Sequence, residues 1–154
     1  MEDGRNKWLD WYESAKKIVK SLGYEPNYFS VESSTLKSGE VMALGKNEKK
    51  LLKAIEAGDK IKWIAVYSLP LDYSSASFDY DALLVRSIEY VTLITNISDF
   101  KNTDEDMLLN SLKEHIGIEN GEIYEMDRDE CPLIYVAKAN PSSAFNTLKV
   151  IKTL

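Results

Sequence analysis

Lys62-Trp63-Ile64-Ala65-Val66-Tyr67-Ser68-Leu69 is the stretch on which the fold turns. Aromatic and β-branched residues dominate it, the composition of a strand that fits a pleated, buried surface. Pro70 closes it, since proline cannot donate to a sheet ladder. On its N-terminal side, Leu51, Leu52 and Ile55 give residues 47–57 the narrow apolar face of a helix, ended by Gly58. Before that, residues 28–35 read as a strand paired with 41–44 across Leu36-Lys37-Ser38-Gly39-Glu40. Earlier still, Trp8, Trp11, Tyr12, Ala15, Ile18, Val19 and Leu22 recur at steps of three and four, one face of an opening helix. Gly23 supplies a left-handed stop and Pro26 follows.

C-terminal to the central strand, residues 80–86 and 90–96 read as extended, either as a hairpin or as one bulged strand, because Ser87-Ile88-Glu89 carries no strong turn signal. Thr103-Asp104-Glu105-Asp106 has the pattern of a helix cap with acid on the positive end of the helix. Leu108, Leu109, Leu112 and Ile116 form that helix's buried face, and Gly117 stops it. Asn120-Gly121 marks a turn. Residues 122–127 and 133–139 then predict a hairpin around Arg128-Asp129-Glu130-Cys131, and Asn140-Pro141-Ser142 a last helix with Phe145, Leu148 and Ile151 inward. The sum is a single α+β domain over residues 1–154, a mostly antiparallel sheet with about four helices. Residues 28–86 and 90–139 each read strand, helix, strand, strand, a pattern-level duplication without residue identity.

At 154 residues with 44% apolar and 29% charged content, the chain is long and apolar enough to bury a core. Its one cysteine, Cys131, excludes an internal disulfide and a CxxC zinc site. The first residues lack the basic and apolar regions of a signal peptide, and no apolar run approaches a bilayer span. A cytoplasmic protein that binds no membrane is the expectation. The net charge of −6 is unevenly placed. Residues 72–130 hold 15 acidic and 4 basic side chains, whereas residues 131–154 hold 3 basic and none acidic. A localised charge of this size creates a field that a basic partner feels, and it argues against tracking nucleic-acid phosphates.

Catalytic parts are missing. His115 sits near a helix end, where an imidazolium favours the negative pole, and no local motif gives it a nucleophile or an orienting acid. Cys131 has Asp127, Asp129 and Glu130 as sequence neighbours and no activating base beside it, so an inert thiol is expected. Asp79 and Asp81 alternate as two ligands of a hard cation do, but no EF-hand pattern is present, and they read as solvated acids without metal. No phosphate-binding glycine loop occurs, and no cofactor is implied. Lys46, Lys49, Lys50, Lys53, Lys60 and Lys62 read as the solvated face of the second helix.

What remains are two acidic segments interleaved with aromatics, a pairing typical of interface anchors. Asp72, Tyr73, Phe78, Asp79, Tyr80 and Asp81 form one; Glu122, Glu125, Asp127, Asp129 and Glu130 form the other. In these segments and in overall character (small, acidic, α/β, without a catalytic motif) the chain resembles the immunity proteins that bacteria encode beside toxic effectors. The resemblance implies a non-enzymatic protein that occludes a basic toxin domain, such as the cationic cleft of a nuclease. A second resemblance, in the paired strand-helix-strand-strand units, is to gyrase-inhibitor-like ligand-binding domains. It implies a small-molecule sensor for lipophilic cations, with Trp63, Tyr67, Tyr80 and Glu89 as the groups concerned. An enzyme built on scattered carboxylates is the third alternative.

Overall fold

The computed structural model describes residues 4–36, 40–74, 79–115, 121–136 and 145–154. Its centre is a five-stranded antiparallel sheet in the order β2-β1-β3-β4-β5. The strands are β1 (Tyr28–Ser33), β2 (Met42–Ala43), β3 (Ile61–Ser68), β4 (Ala82–Ser87) and β5 (Val91–Thr95). The central strand β3 pairs β1 on one side, Val31 opposite Ile64, and β4 on the other, Ala65 opposite Val85. Side chains alternate between the two faces of a strand. Phe29, Val31, Ile64, Val66, Ala82 and Leu84 accordingly meet the helices α1 (Gly4–Ser21) and α2 (Leu44–Glu56). Ala65, Tyr67, Leu83 and Val85 form a second cluster on the opposite face with Leu69 and Tyr80. Burial of both faces explains why the central strands read as nearly continuous apolar runs.

The seven expected positions of α1 are all buried. Trp11 also donates its indole N–H to the Ile64 carbonyl at 3.1 Å, tying helix to sheet. Gly23 adopts φ +96°, and Gly23 and Tyr24 return their N–H groups to Lys20 and Val19, closing the helix as predicted. Helix α2 begins at Leu44, three residues before the expected start, from an Ala43 cap that has no side-chain bond to signal it in sequence. Gly58, at φ +78°, follows its end.

The β4–β5 segment is a hairpin. Ser87 donates its N–H to the Tyr90 carbonyl at 2.9 Å, and its hydroxyl accepts from the N–H groups of Glu89 and Tyr90, both at 3.0 Å. A serine hydroxyl thus supplies the turn chemistry that glycine or asparagine usually signals. A short helix α3 (Ile97–Lys101), unforeseen in sequence, follows β5. Helix α4 (Glu105–Lys113) is capped by Asp104, whose carboxylate accepts from Met107 N–H at 3.2 Å. Thr103 instead donates its hydroxyl to Phe100 O. The expected Ile116 and Gly117 positions lie outside the described residues.

The C-terminal region departs from expectation. Strand β6 (Glu122–Glu125) pairs with β7 (Lys149–Thr153), and not with residues 133–136, the described part of its expected partner. Pro132 opens a short helix α5 (Pro132–Val136), because proline at a first helical position has its φ preset. Between them lies a 3-10 turn, Arg128–Glu130, followed by Cys131 at φ 53°, which redirects the chain. The expected final helix is replaced at 149–153 by a strand, and Ile151 is half exposed rather than inward. β-branched residues in Lys149-Val150-Ile151-Lys152-Thr153 prevail over the helical spacing. Residues 137–144, where the predicted hairpin strand and final helix meet, lie outside the described residues. The architecture is nonetheless the expected α+β domain. Tyr28 to Ser87 runs strand, helix, strand, strand, with β2 added; from Val91 the order is strand, two helices, strand, then strand after α5.

Candidate partner-binding surface

Strands β3 and β5 end, and β1 and β4 begin, at the same end of the large sheet, so the loop leaving β3 is anchored there from several sides. Asn27 clamps its start, donating to Leu69 O at 2.8 Å and accepting from Leu69 N–H at 2.9 Å. Tyr73 N–H donates to Pro70 O at 3.2 Å, closing a turn whose tip is Leu71 and Asp72. Both tip residues are exposed, Leu71 fully (104%). Tyr73 is half-buried, its ring edge-on to Tyr28 at 5.3 Å. Asp79 accepts from the N–H and hydroxyl of Ser74, at 2.5 and 2.7 Å, and so closes the loop on itself. Phe78 lies outside the described residues. Asp81 is half-exposed at the entrance to β4, its N–H bonded to Ser68 O at 2.8 Å.

Tyr80 has a different place. It is 4% exposed and packs with Tyr67, Leu69, Leu83 and Leu133. Among the described residues its buried hydroxyl has no hydrogen-bond partner. Burial, then the neighbouring Cys131, pushes its phenol well above the ordinary value, opposed by Arg128. Tyr124 is raised by burial and then by Tyr80 itself. The turn that carries the second acidic segment is therefore gathered around Tyr80. Arg128 adds a direct link, donating to Asn96 Oδ1 at 3.1 Å just beyond β5.

Within the second segment the acids divide by role. Glu122 accepts the hydroxyl of Tyr135, and that bond first, with burial second, pushes the phenol up to about 12. Glu125 pairs with Lys149 at 3.8 Å. Glu130 accepts backbone N–H groups from Asn146 and Thr147 at 2.9 and 2.8 Å, fixing the strand that returns to β7. Asp127 donates its own N–H to the Thr147 hydroxyl at 2.8 Å, leaving its side chain exposed. Asp129 is also exposed. The carboxylates of Asp72, Asp127 and Asp129 take part in no hydrogen bond or ion pair among the described residues. The fold thus brings the two segments to one end of the sheet. It spends Asp79, Glu122, Glu125 and Glu130 on local structure and leaves Asp72, Asp127 and Asp129 to solvent.

Sequence reasoning missed Leu71, Asn27 and Arg128. Only the Pro70-Leu71-Asp72 turn signature pointed toward the first, and nothing local marks the other two. Elsewhere, Trp63 and Tyr67 share the second cluster with Tyr80; Trp63 donates to Glu32 Oε2 at 3.0 Å, and Glu89 is exposed on the β4–β5 turn. Lys46, Lys49, Lys50 and Lys53 are exposed on α2, as a solvated helix face requires; Lys60, ahead of β3, and Lys62, within it, are exposed as well. Cys131 is 7% exposed. His115 is packed edge-on against Trp11 at 5.3 Å rather than standing on an open surface. Among the described residues no group of three or more His, Cys, Asp or Glu side chains is placed to hold a metal, and no helix is long and apolar enough to cross a membrane. Compared with known proteins, the chain matches no family model, no curated protein and no solved structure.

Proposed function

We propose that this chain is an immunity-type binding protein that neutralises a basic toxin domain through the acidic end of its sheet. The observation that carries the reading is the convergence of two acidic segments, one holding Asp72 and Asp81 and the other Asp127 and Asp129, at one end of the fold through Tyr80 and the Arg128–Asn96 bond. Leu71 beside Asp72 gives that end an apolar knob with a charged rim, the anatomy of an interface anchor. Inhibition by occlusion follows: exposed carboxylates steer a cationic cleft into register, and the knob and neighbouring tyrosine exclude water. The reading requires no catalytic step.

The test is capture from the native organism with the wild-type chain and with the Asp72→Asn, Asp127→Asn, Asp129→Asn triple variant. None of these three carboxylates supports the fold, so the variant keeps its thermal midpoint. A basic protein held stoichiometrically by the wild type at low salt, and poorly by the variant, is the expected result. Equal retention by both removes this surface from the account.

The sensor reading has its own support in the second cluster, where Trp63, Tyr67 and Tyr80 share one sheet face and Glu32 sits on the Trp63 indole. Aromatic faces beside a carboxylate attract organic cations. A thermal-shift series with tetraphenylphosphonium and benzyltrimethylammonium separates the two readings: stabilisation favours the sensor, and an unchanged midpoint favours the immunity-type protein.

A further inference from the structure

His115 follows the last turn of α4, its N–H bonded to Leu112 O at 3.3 Å. Its ring lies edge-on to Trp11, which is fully buried in α1. The imidazole Nε2 is buried and has no hydrogen-bond partner among the described residues. Close by, from β4, comes Arg86, 2% exposed, its guanidinium 4.9 Å from the centre of the Trp8 ring and donating to Lys7 O at 3.1 Å. The site therefore already encloses one permanent positive charge.

Neutral imidazole suits this place and imidazolium does not. A proton on Nε2 has no acceptor to meet, and the charge it brings is desolvated beside a guanidinium. The charged groups that bear on the ring come from each element around it: Arg86 from β4, Asp10 from α1 and Glu114 at the end of α4. Burial first, and Arg86 second, oppose protonation; Glu114 and Asp10 favour it, but both are exposed and screened by water.

From this packing we infer that His115 is a proton-sensitive latch that holds α4 against α1 and releases it on mild acidification. Helix α4 contributes Leu108 and Leu112 to the core, and its Glu105 reaches Lys152 of β7 at 3.5 Å. Release therefore loosens the link between the large sheet and the β6–β7 ribbon. The sign is fixed by linkage. A histidine whose folded pKa lies below its unfolded value leaves the folded state short of a proton, so docking weakens as pH falls below the ordinary value of about 6.5 and levels off below the folded value. His115 is the chain's only histidine, so between pH 7.5 and 5.5 no other side chain with an ordinary pKa changes charge.

Amide hydrogen exchange over residues 105–115, corrected for intrinsic rates, tests the latch at pH 7.5, 6.5 and 5.5, with β3 and β4 as internal references. The wild type should open α4 more as pH falls, by up to about tenfold per unit below 6.5, while the reference strands stay protected. His115→Phe, which keeps a ring against Trp11, and His115→Gln should both abolish that pH response. An unchanged α4 in the wild type, or the same response in either folded variant, overturns the proposal. Proton NMR of the single imidazole gives an independent reading: a titration midpoint below 6.5 is expected, and one at or above 6.5 overturns it.

Discussion

Tyr12 shows how a single polar atom is accommodated in this core. Its ring is fully buried in the face of α1, and its hydroxyl donates to Glu48 Oε2 of α2 at 2.6 Å, with Lys16 at 3.3 Å from the same oxygen. That hydroxyl is the main reason the Glu48 carboxyl is held below its ordinary value, against the opposing effect of burial and with help from Lys16. Tyr12→Phe should cost about 1 kcal/mol in denaturant unfolding at neutral pH, the net worth of one such bond. A carboxyl with a depressed folded pKa stabilises above its unfolded pKa and loses that contribution as pH falls through the folded value. The difference between wild type and Tyr12→Phe should therefore be present at pH 7 and shrink below about pH 4.5; a difference independent of pH would mean that the hydroxyl does not act through Glu48. The spacing of Trp8 to Leu22 made the buried face of α1 legible, because periodicity reports burial. It gave no sign of Glu48 or Ile64 as partners, since those contacts join residues far apart in sequence.

Among the elements, turns and caps separate what local chemistry reveals from what it conceals. The acids ahead of α4 were readable as a cap, and Asp104 is the one that makes the bond. Asp104→Ala should lower stability by about 1 kcal/mol, read as a shift in denaturant midpoint, while Thr103→Ala leaves the Met107 N–H satisfied and the α4 cap in place. Ser87 was unreadable as a turn residue, because serine is common everywhere and only the fold directs its hydroxyl at two N–H groups. Ser87→Ala should cost about 1–2 kcal/mol and raise hydrogen exchange at Glu89 and Tyr90; unchanged exchange there would contradict the role given to the hydroxyl. The ribbon failed in sequence for a third reason. Residues 145–151 offer apolar spacing compatible with a helix, whereas the β6–β7 pairing that decides the matter is more than twenty residues away.

For the whole molecule, the sheet places chemistry by topology. Both faces of β3 and β4 are buried, so on the proposed reading contact with a partner falls to loops at the sheet's ends. At one end the clamped turn with Leu71 and Asp72 and the 3-10 turn with Asp127 and Asp129 come together around Tyr80. Charge counting alone located this acidity, but it could not tell the acids that hold the fold from those left to solvent. That distinction required Glu130 on its backbone N–H groups and Asp79 on Ser74. On the proposed reading, the solvent-facing carboxylates steer a basic partner. Stopped-flow association of the captured partner with the wild type and with the Asp72→Asn, Asp127→Asn, Asp129→Asn variant, at low and high salt, tests it most directly. The wild-type rate should be at least about tenfold faster at low salt and fall steeply as salt rises, with the variant slower and nearly insensitive to salt; equal rates and equal salt dependence in the two proteins would rule out steering by these carboxylates.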